Sequence, residues 1–133
     1  MTPVKDRKVR FALVGCGRIA KNHLGAIAAH GDRCEVVDVC DTSPEAVAAA
    51  AAETNAKAHA SFEDMLAKTN ADCIVITTPS GLHPQQAVLA ANAGFNVMTE
   101  KPMATRWNDG LRMVEACDRA GVRLFVVKQN RRN

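Results

Sequence analysis

The apolar residues of this chain gather in short runs, separated by longer stretches in which apolar and polar positions mix. Five runs, at 9–14, 34–40, 72–77, 96–99 and 123–128, are rich in Val, Ile, Cys or Phe. Brief runs of this kind suit strands buried on both faces, as in a parallel sheet. A weaker run at 57–60 suits an edge strand. Helical signals fill the gaps. Ser43-Pro44-Glu45 offers an N-cap, a proline at the first helical position and an acid in the first turn. The alanine-rich stretch 46–52 continues that helix. Ser61 opens another, with Asp64 in the capping-box position. Thr105 is the candidate cap of a helix whose Trp107, Leu111 and Val114 share a face and whose stop is Gly121. Strand and helix alternate throughout, which predicts right-handed crossovers and an α/β fold. Its sheet is doubly wound and mostly parallel, with helices on both faces.

Composition narrows the setting. A chain of 133 residues with 47% hydrophobic content can bury one core, which excludes a disordered chain. No apolar stretch reaches the roughly 18 residues of a membrane span, so no membrane partner is expected. The charged start, 1–8, leads directly into the first strand run without a signal-like apolar core, so the expected location is cytoplasmic. The net charge of +3 can be assigned to Lys128, Arg131 and Arg132, leaving 14 basic against 14 acidic residues. That balance gives no polyanion-binding face, so nucleic acid is not an expected partner. The cysteines, Cys16, Cys34, Cys40, Cys73 and Cys117, are odd in number and form no CxxC pair. They read as reduced, mostly buried thiols, and no metal site is expected.

The first strand runs straight into Gly15-Cys16-Gly17-Arg18-Ile19-Ala20, a GxGxxA sequence opening a helix. Gly15 permits a sharp turn and Gly17 lacks a Cβ that would obstruct a pyrophosphate. Ala20 is small enough for close packing of helix on sheet. The helix start then offers free N–H groups and a positive dipole end, beside which Arg18 adds charge. Asp41 ends the second strand run, 26 positions after Gly15. A carboxylate there would accept hydrogen bonds from both adenosine ribose hydroxyls and repel a 2′-phosphate. The following Thr42-Ser43-Pro44 contains no arginine, which favours NAD over NADP. Asp41 also reads as a turn or helix-capping residue, which is compatible with ribose binding. Asp38 competes for the role but lies inside the strand. The whole reads as a Rossmann-type dinucleotide domain.

Two later loops should border the same ligand, because such sheets bind beyond the carboxyl ends of their strands. The fourth run leads into Thr78-Pro79-Ser80 and His83, the latter a capping or cofactor-packing residue more than a catalyst. The fifth leads into Glu100-Lys101-Pro102. Lys101 could bond a substrate hydroxyl, stabilise an alkoxide or move a proton. It could equally form a surface salt bridge with Glu100.

The set Gly15 to Ala20, Asp41, Thr78-Pro79-Ser80 with His83, and Glu100-Lys101-Pro102 resembles the glucose–fructose oxidoreductase / inositol dehydrogenase family. The match extends over nearly the whole chain, and the Glu-Lys-Pro triplet is its most specific mark. The resemblance implies an NAD-dependent sugar dehydrogenase with Lys101 catalytic, beside nicotinamide and substrate. Cofactor contacts are implied at Gly15, Gly17, Arg18, Ile19, Asp41, Thr78, Pro79, Ser80, His83, Glu100 and Lys101. The stretches 99–107 and 127–133 resemble the branch that oxidises the C3 hydroxyl of UDP-N-acetylglucosaminuronate for lipopolysaccharide O-antigen synthesis. That similarity implies Gln129 near the nicotinamide and Lys101, Asn130 and Arg131 near a nucleotide-sugar substrate. A disordered terminus is the alternative for 129–133. Family members add a larger second domain that often forms the oligomer interface. Residues 1–128 are therefore expected to be the NAD-binding domain and 129–133 the start of the connection to a domain absent here. Alone, the chain is expected to be inactive. Two other readings remain: a dehydrogenase of an inositol or free sugar, and a non-catalytic NAD-sensing module, which would not need Lys101.

Overall fold

A computed structural model describes residues 3–128 and bears out the strand–helix alternation. The strands are β1 (Val9–Val14), β2 (Cys34–Cys40), β3 (Lys57–His59), β4 (Cys73–Ile76), β5 (Asn96–Thr99) and β6 (Leu124–Val126). The helices are α1 (Ala20–Ala29), α2 (Pro44–Thr54), α3 (Phe62–Lys68), α4 (His83–Asn92) and α5 (Trp107–Ala120). A single 3-10 turn, Ser80–Leu82, precedes α4. Every strand pairing is parallel, in the order β3-β2-β1-β4-β5-β6. The chain steps outward from β1 to β3, then crosses to β4 on the other side of β1 and steps outward again. The reversal makes a switch point between the carboxyl ends of β1 and β4, where open α/β sheets bind ligands.

Alternating side chains bury the sheet on both faces. Leu13, Val39 and Val75 pack with Ala20 and Leu24 of α1 and with Val47 and Ala50 of α2. Ala12, Val14, Ile74, Ile76 and Val97 face the other way, onto Phe62 and Met65 of α3, Ala87 and Ala90 of α4, and Met113 and Cys117 of α5. The predicted caps form at α2 and α3: Ser43 Oγ accepts the Ala46 N–H at 3.3 Å, and Ser61 Oγ accepts the Asp64 N–H at 3.2 Å. Ser61's hydroxyl donates to Glu63.

One expectation about α5 needs correction. Arg106, not Thr105, holds the N-cap position, without a side-chain cap bond. The Arg106 carbonyl accepts the first helical bond, from the Gly110 N–H at 3.2 Å, so the helix starts one residue later than a Thr105 cap requires. Trp107, Leu111 and Val114 share a face as expected, and it is the outward one, with Trp107 79% exposed. The inward face is Met113, Ala116 and Cys117. Asp38 is buried at the far side of β2 from the crevice residues. It accepts hydrogen bonds from Thr69 Oγ1 at 2.6 Å and pairs with His59 Nε2 at 2.7 Å, tying the end of α3 and edge strand β3 to β2. Among the described residues no helix is long and apolar enough to cross a membrane.

Candidate functional site

Gly15 follows β1 with φ +92°, and a Cβ there would lie 2.7 Å from three backbone atoms of Thr77 and Thr78. Only glycine meets both conditions. The turn is pinned by its N–H, which donates to the Cys40 carbonyl at 2.8 Å. Thr77's hydroxyl adds bonds to the carbonyls of Gly15 at 2.6 Å and Val14 at 3.0 Å. Gly17 differs: a Cβ there would meet nothing within 4 Å. Its lack of a side chain leaves open room in front of α1. That helix has no side-chain cap and no acid in its first turn, so nothing offsets the positive end of its dipole. Arg18 and Ile19 are exposed on the rim, and Ala20 is buried against the sheet. This open, positively polarised space suits a pyrophosphate.

Asp41 is half-buried at the end of β2. Its Oδ2 accepts the Cys16 N–H at 2.7 Å and its Oδ1 accepts the Ser43 N–H at 2.9 Å. A carboxylate has about four acceptor sites, so about two stay free for ligand hydroxyls. The turn role therefore exists and leaves the ribose role intact. Burial first, then the Asp41 charge, pushes the Cys16 thiol up to about 12 and the Cys40 thiol up to about 11. Both stay protonated near neutrality, so neither is a nucleophile.

Across the switch point, Thr78's hydroxyl donates to Gln86 Oε1. Pro79 is exposed and Ser80 half-buried on the rim. His83 is buried, its Nε2 2.7 Å from the Thr78 carbonyl and its Nδ1 3.0 Å from the Pro102 carbonyl. The ring thus braces the loop after β4 against the loop after β5. Glu100 is buried too, at 7% exposure, but it does not pair with the Lys101 side chain. Its Oε1 lies 2.7 Å from His23 Nε2, and its Oε2 accepts the Lys101 backbone N–H at 3.2 Å. The exposed Lys101 ammonium takes part in none of the salt bridges among the described residues. The surface Glu100–Lys101 bridge is therefore not formed, and Lys101, just past the carboxyl end of β5, has no charged partner among the described residues. The Lys101–Pro102 peptide is cis.

Gln129, Asn130 and Arg131 lie outside the described residues. Sequence reasoning missed Thr77, Gln86 and His23. His23 follows Ala20 by one turn, so helical spacing placed it on the inward side, but only the strand order reveals that it meets Glu100. The crevice itself is an open groove. One cavity, about 650 Å³, lies around the start of β2 and the end of α2 and touches none of the predicted site residues. Another, about 450 Å³, lies between α1 and α2 and has Cys16, Gly17 and Arg18 on one wall. Chemistry favours the groove, because the glycine turn and the acid meet there through the Cys16 N–H, and Lys101 follows β5 at the same carboxyl edge of the sheet.

Fold and groove define a dinucleotide-binding α/β domain. The chain belongs to the Gfo/Idh/MocA oxidoreductase family, NAD-binding Rossmann fold, whose model matches residues 9–128. It is 68% identical to the WlbA dehydrogenase of Bordetella pertussis, solved with NADH and UDP-GlcNAcA, with a TM-score of 0.96 over 98% of this chain and 39% of that one. The WlbA dehydrogenase of Chromobacterium violaceum, solved with the same two ligands, is 63% identical, with a TM-score of 0.98 over 100% of this chain and 39% of that one. The 1,5-anhydro-D-fructose reductase of Ensifer adhaerens is 38% identical over 85% of this chain and 34% of its own length. The chain thus spans well under half the length of these relatives.

Proposed function

We propose that this chain is the cofactor-binding part of an NAD-dependent dehydrogenase that oxidises a secondary alcohol of a nucleotide sugar, the C3 hydroxyl of UDP-N-acetylglucosaminuronate, to the 3-keto sugar. One observation carries the reading: a glycine turn before an uncapped helix is bonded to a ribose-type carboxylate, at the carboxyl edge of the sheet where β5 ends in Glu100 and Lys101. The similarity to two dehydrogenases solved with NADH and UDP-GlcNAcA supports the choice of substrate.

In this reading the α1 amino end, Gly17, Arg18 and Ile19 hold the pyrophosphate, and Asp41 holds the adenosine ribose and disfavours a 2′-phosphate. Thr78, Pro79, Ser80 and His83 form the wall on the β4 side, and Glu100 supports the floor. NAD, when bound, accepts the hydride leaving the carbinol carbon. Lys101 hydrogen-bonds the reacting hydroxyl and stabilises the oxyanion as its proton departs. Gln129 would border the nicotinamide, and Asn130 and Arg131 the anionic groups of the sugar. A second domain, following residues 129–133, would supply the other wall of a water-poor cleft and the contacts between subunits. The setting is cytoplasmic, and this chain alone binds NAD without turnover.

Calorimetric titration of the chain should give tighter binding of NAD+ than of NADP+; equal or reversed affinity refutes the role of Asp41. A full-length form mixed with NAD+ and UDP-N-acetylglucosaminuronate should yield the 3-keto sugar, identified directly as product. Turnover only with an inositol or free sugar, or with nothing, would overturn the substrate assignment.

A further inference from the structure

No role in the proposed chemistry has yet fallen to His23. We propose that His23 is a positioning residue: through the Glu100 carboxylate it fixes the backbone of Lys101 relative to the amino end of α1. The proposal rests on the reading of Lys101 as the substrate-facing amine.

The geometry is a three-membered chain of contacts. Glu100 is buried at the carboxyl end of β5, and its own N–H is committed to the Ile76 carbonyl at 3.1 Å. That bond holds its backbone but leaves the side chain free to rotate. A buried carboxylate needs partners, because an unpaired one carries a large desolvation penalty. Glu100 has two described partners on two different elements: His23 donates through Nε2–H to Oε1 at 2.7 Å, and the Lys101 N–H donates to Oε2 at 3.2 Å. The carboxylate is rigid and planar, so fixing one oxygen fixes the other. His23 sits in the first turn of α1, and its side chain is 16% exposed. The same helix presents its uncapped amino end to the groove. A dinucleotide seated on α1 and a substrate held by Lys101 would therefore be measured from one rigid element. Hydride transfer is sensitive to placement, with an error of about 1 Å costing on the order of a hundredfold in rate. Glu100 serves as a spacer between the two halves of the site.

Amide hydrogen exchange and kinetics test this together. In the present chain, His23→Leu should speed exchange of the Lys101 N–H by about tenfold, since that donor loses a held acceptor. His23→Gln carries an N–H donor on a side chain of similar reach and should restore most of the protection. In a full-length form, His23→Leu should lower kcat by about tenfold or more while the KM for NAD+ moves less than about threefold, and His23→Gln should recover most of the loss. A merely structural role would change melting temperature without this split. If His23→Leu does not fold, His23→Asn, whose amide is too short to reach Oε1, takes its place. Lys101→Ala is measured in parallel. Where Lys101→Ala is inactive and His23→Leu keeps its kcat, the positioning role is overturned whatever the exchange shows. Where Lys101→Ala turns over normally, the reading of Lys101 falls first and the positioning role of His23 in turnover with it. The exchange result then still decides whether the His23–Glu100–Lys101 linkage exists.

Discussion

Two alanine substitutions, two residues apart in the glycine turn, should separate folding from binding. Gly15→Ala places a Cβ at φ +92°, where an L-residue loses about 1–2 kcal/mol. The same Cβ meets the Thr77 carbonyl carbon and oxygen and the Thr78 nitrogen, each at 2.7 Å. Those atoms cannot swing aside as a side chain would. They belong to the buried exit of β4, where the Thr77 hydroxyl is bonded to the carbonyls of Val14 and Gly15. Strain and displacement together should cost about 3 kcal/mol or more, which for a chain of this length lowers the melting temperature by on the order of 10 °C. Gly17→Ala meets no atom within 4 Å and has no positive φ to relieve. Its stability should stay within about 1 kcal/mol of the parent. The new methyl would stand where a pyrophosphate must approach the α1 amino end, so NAD+ affinity should fall about tenfold to a hundredfold. Thermal melts followed by circular dichroism read the first effect, and calorimetric titration of NAD+ reads the second. Unchanged affinity in Gly17→Ala would refute the assigned course of the pyrophosphate. An undiminished melting temperature in Gly15→Ala would refute the close approach of the β1 and β4 loops.

Two further outcomes follow from the charges and thiols. Burial holds the thiols of Cys16 and Cys73 up near about 12, that of Cys40 up near about 11, and raises that of Cys117 as well, while Cys34 is only half-buried. A thiol-disulfide reagent at pH 8 should therefore modify about one thiol quickly in the folded chain and all five in urea; rapid reaction of several in the folded state would contradict this. The Arg7 guanidinium, bonded to both Asp72 oxygens at 2.7 Å, holds that carboxyl below its ordinary value, with the Arg10 N–H at 2.8 Å assisting against partial burial. A depressed carboxyl stabilises the fold above its unfolded pKa of about 3.9, and that contribution is lost as pH falls through the lower, folded value. Urea midpoints measured from pH 6 down to pH 2 should fall less steeply below about pH 4 in Asp72→Asn than in the parent; parallel slopes would dismiss the linkage.

The fold was legible because its signals are local. The runs at 9–14, 34–40 and 96–99 become β1, β2 and β5 without a shift in boundary, since a strand buried on both faces leaves an uninterrupted apolar record. Serine caps work the same way, as Ser43 and Ser61 need only the next turn of chain. The start of α5 was misread, and the direction of its apolar faces was not legible, for the opposite reason. Trp107, Leu111 and Val114 have the right spacing for an inward stripe, yet the helix turns Met113, Ala116 and Cys117 inward instead. Periodicity identifies a face but not its direction when a helix has apolar residues on two sides.

The site divides along the same line. Gly15, Gly17 and Asp41 lie on segments whose geometry is set by the strand just before them, so motif and spacing sufficed to bring them to one groove. Glu100 and Lys101 are adjacent in sequence, and adjacency suggested a salt bridge. At the exit of a strand, however, successive side chains point to opposite sides. The buried one, Glu100, meets α1, and the other, Lys101, is exposed. The partner of Glu100 comes 77 positions earlier, from His23, a contact that exists only because β4 and β5 lie on the far side of β1 from β2. The pairing of Glu100 with the glycine-loop helix rather than with Lys101 is thus a consequence of strand order. Any substitution that satisfies the Glu100 carboxylate with a cation of its own loop would remove the tie to α1, even with every motif residue still in place.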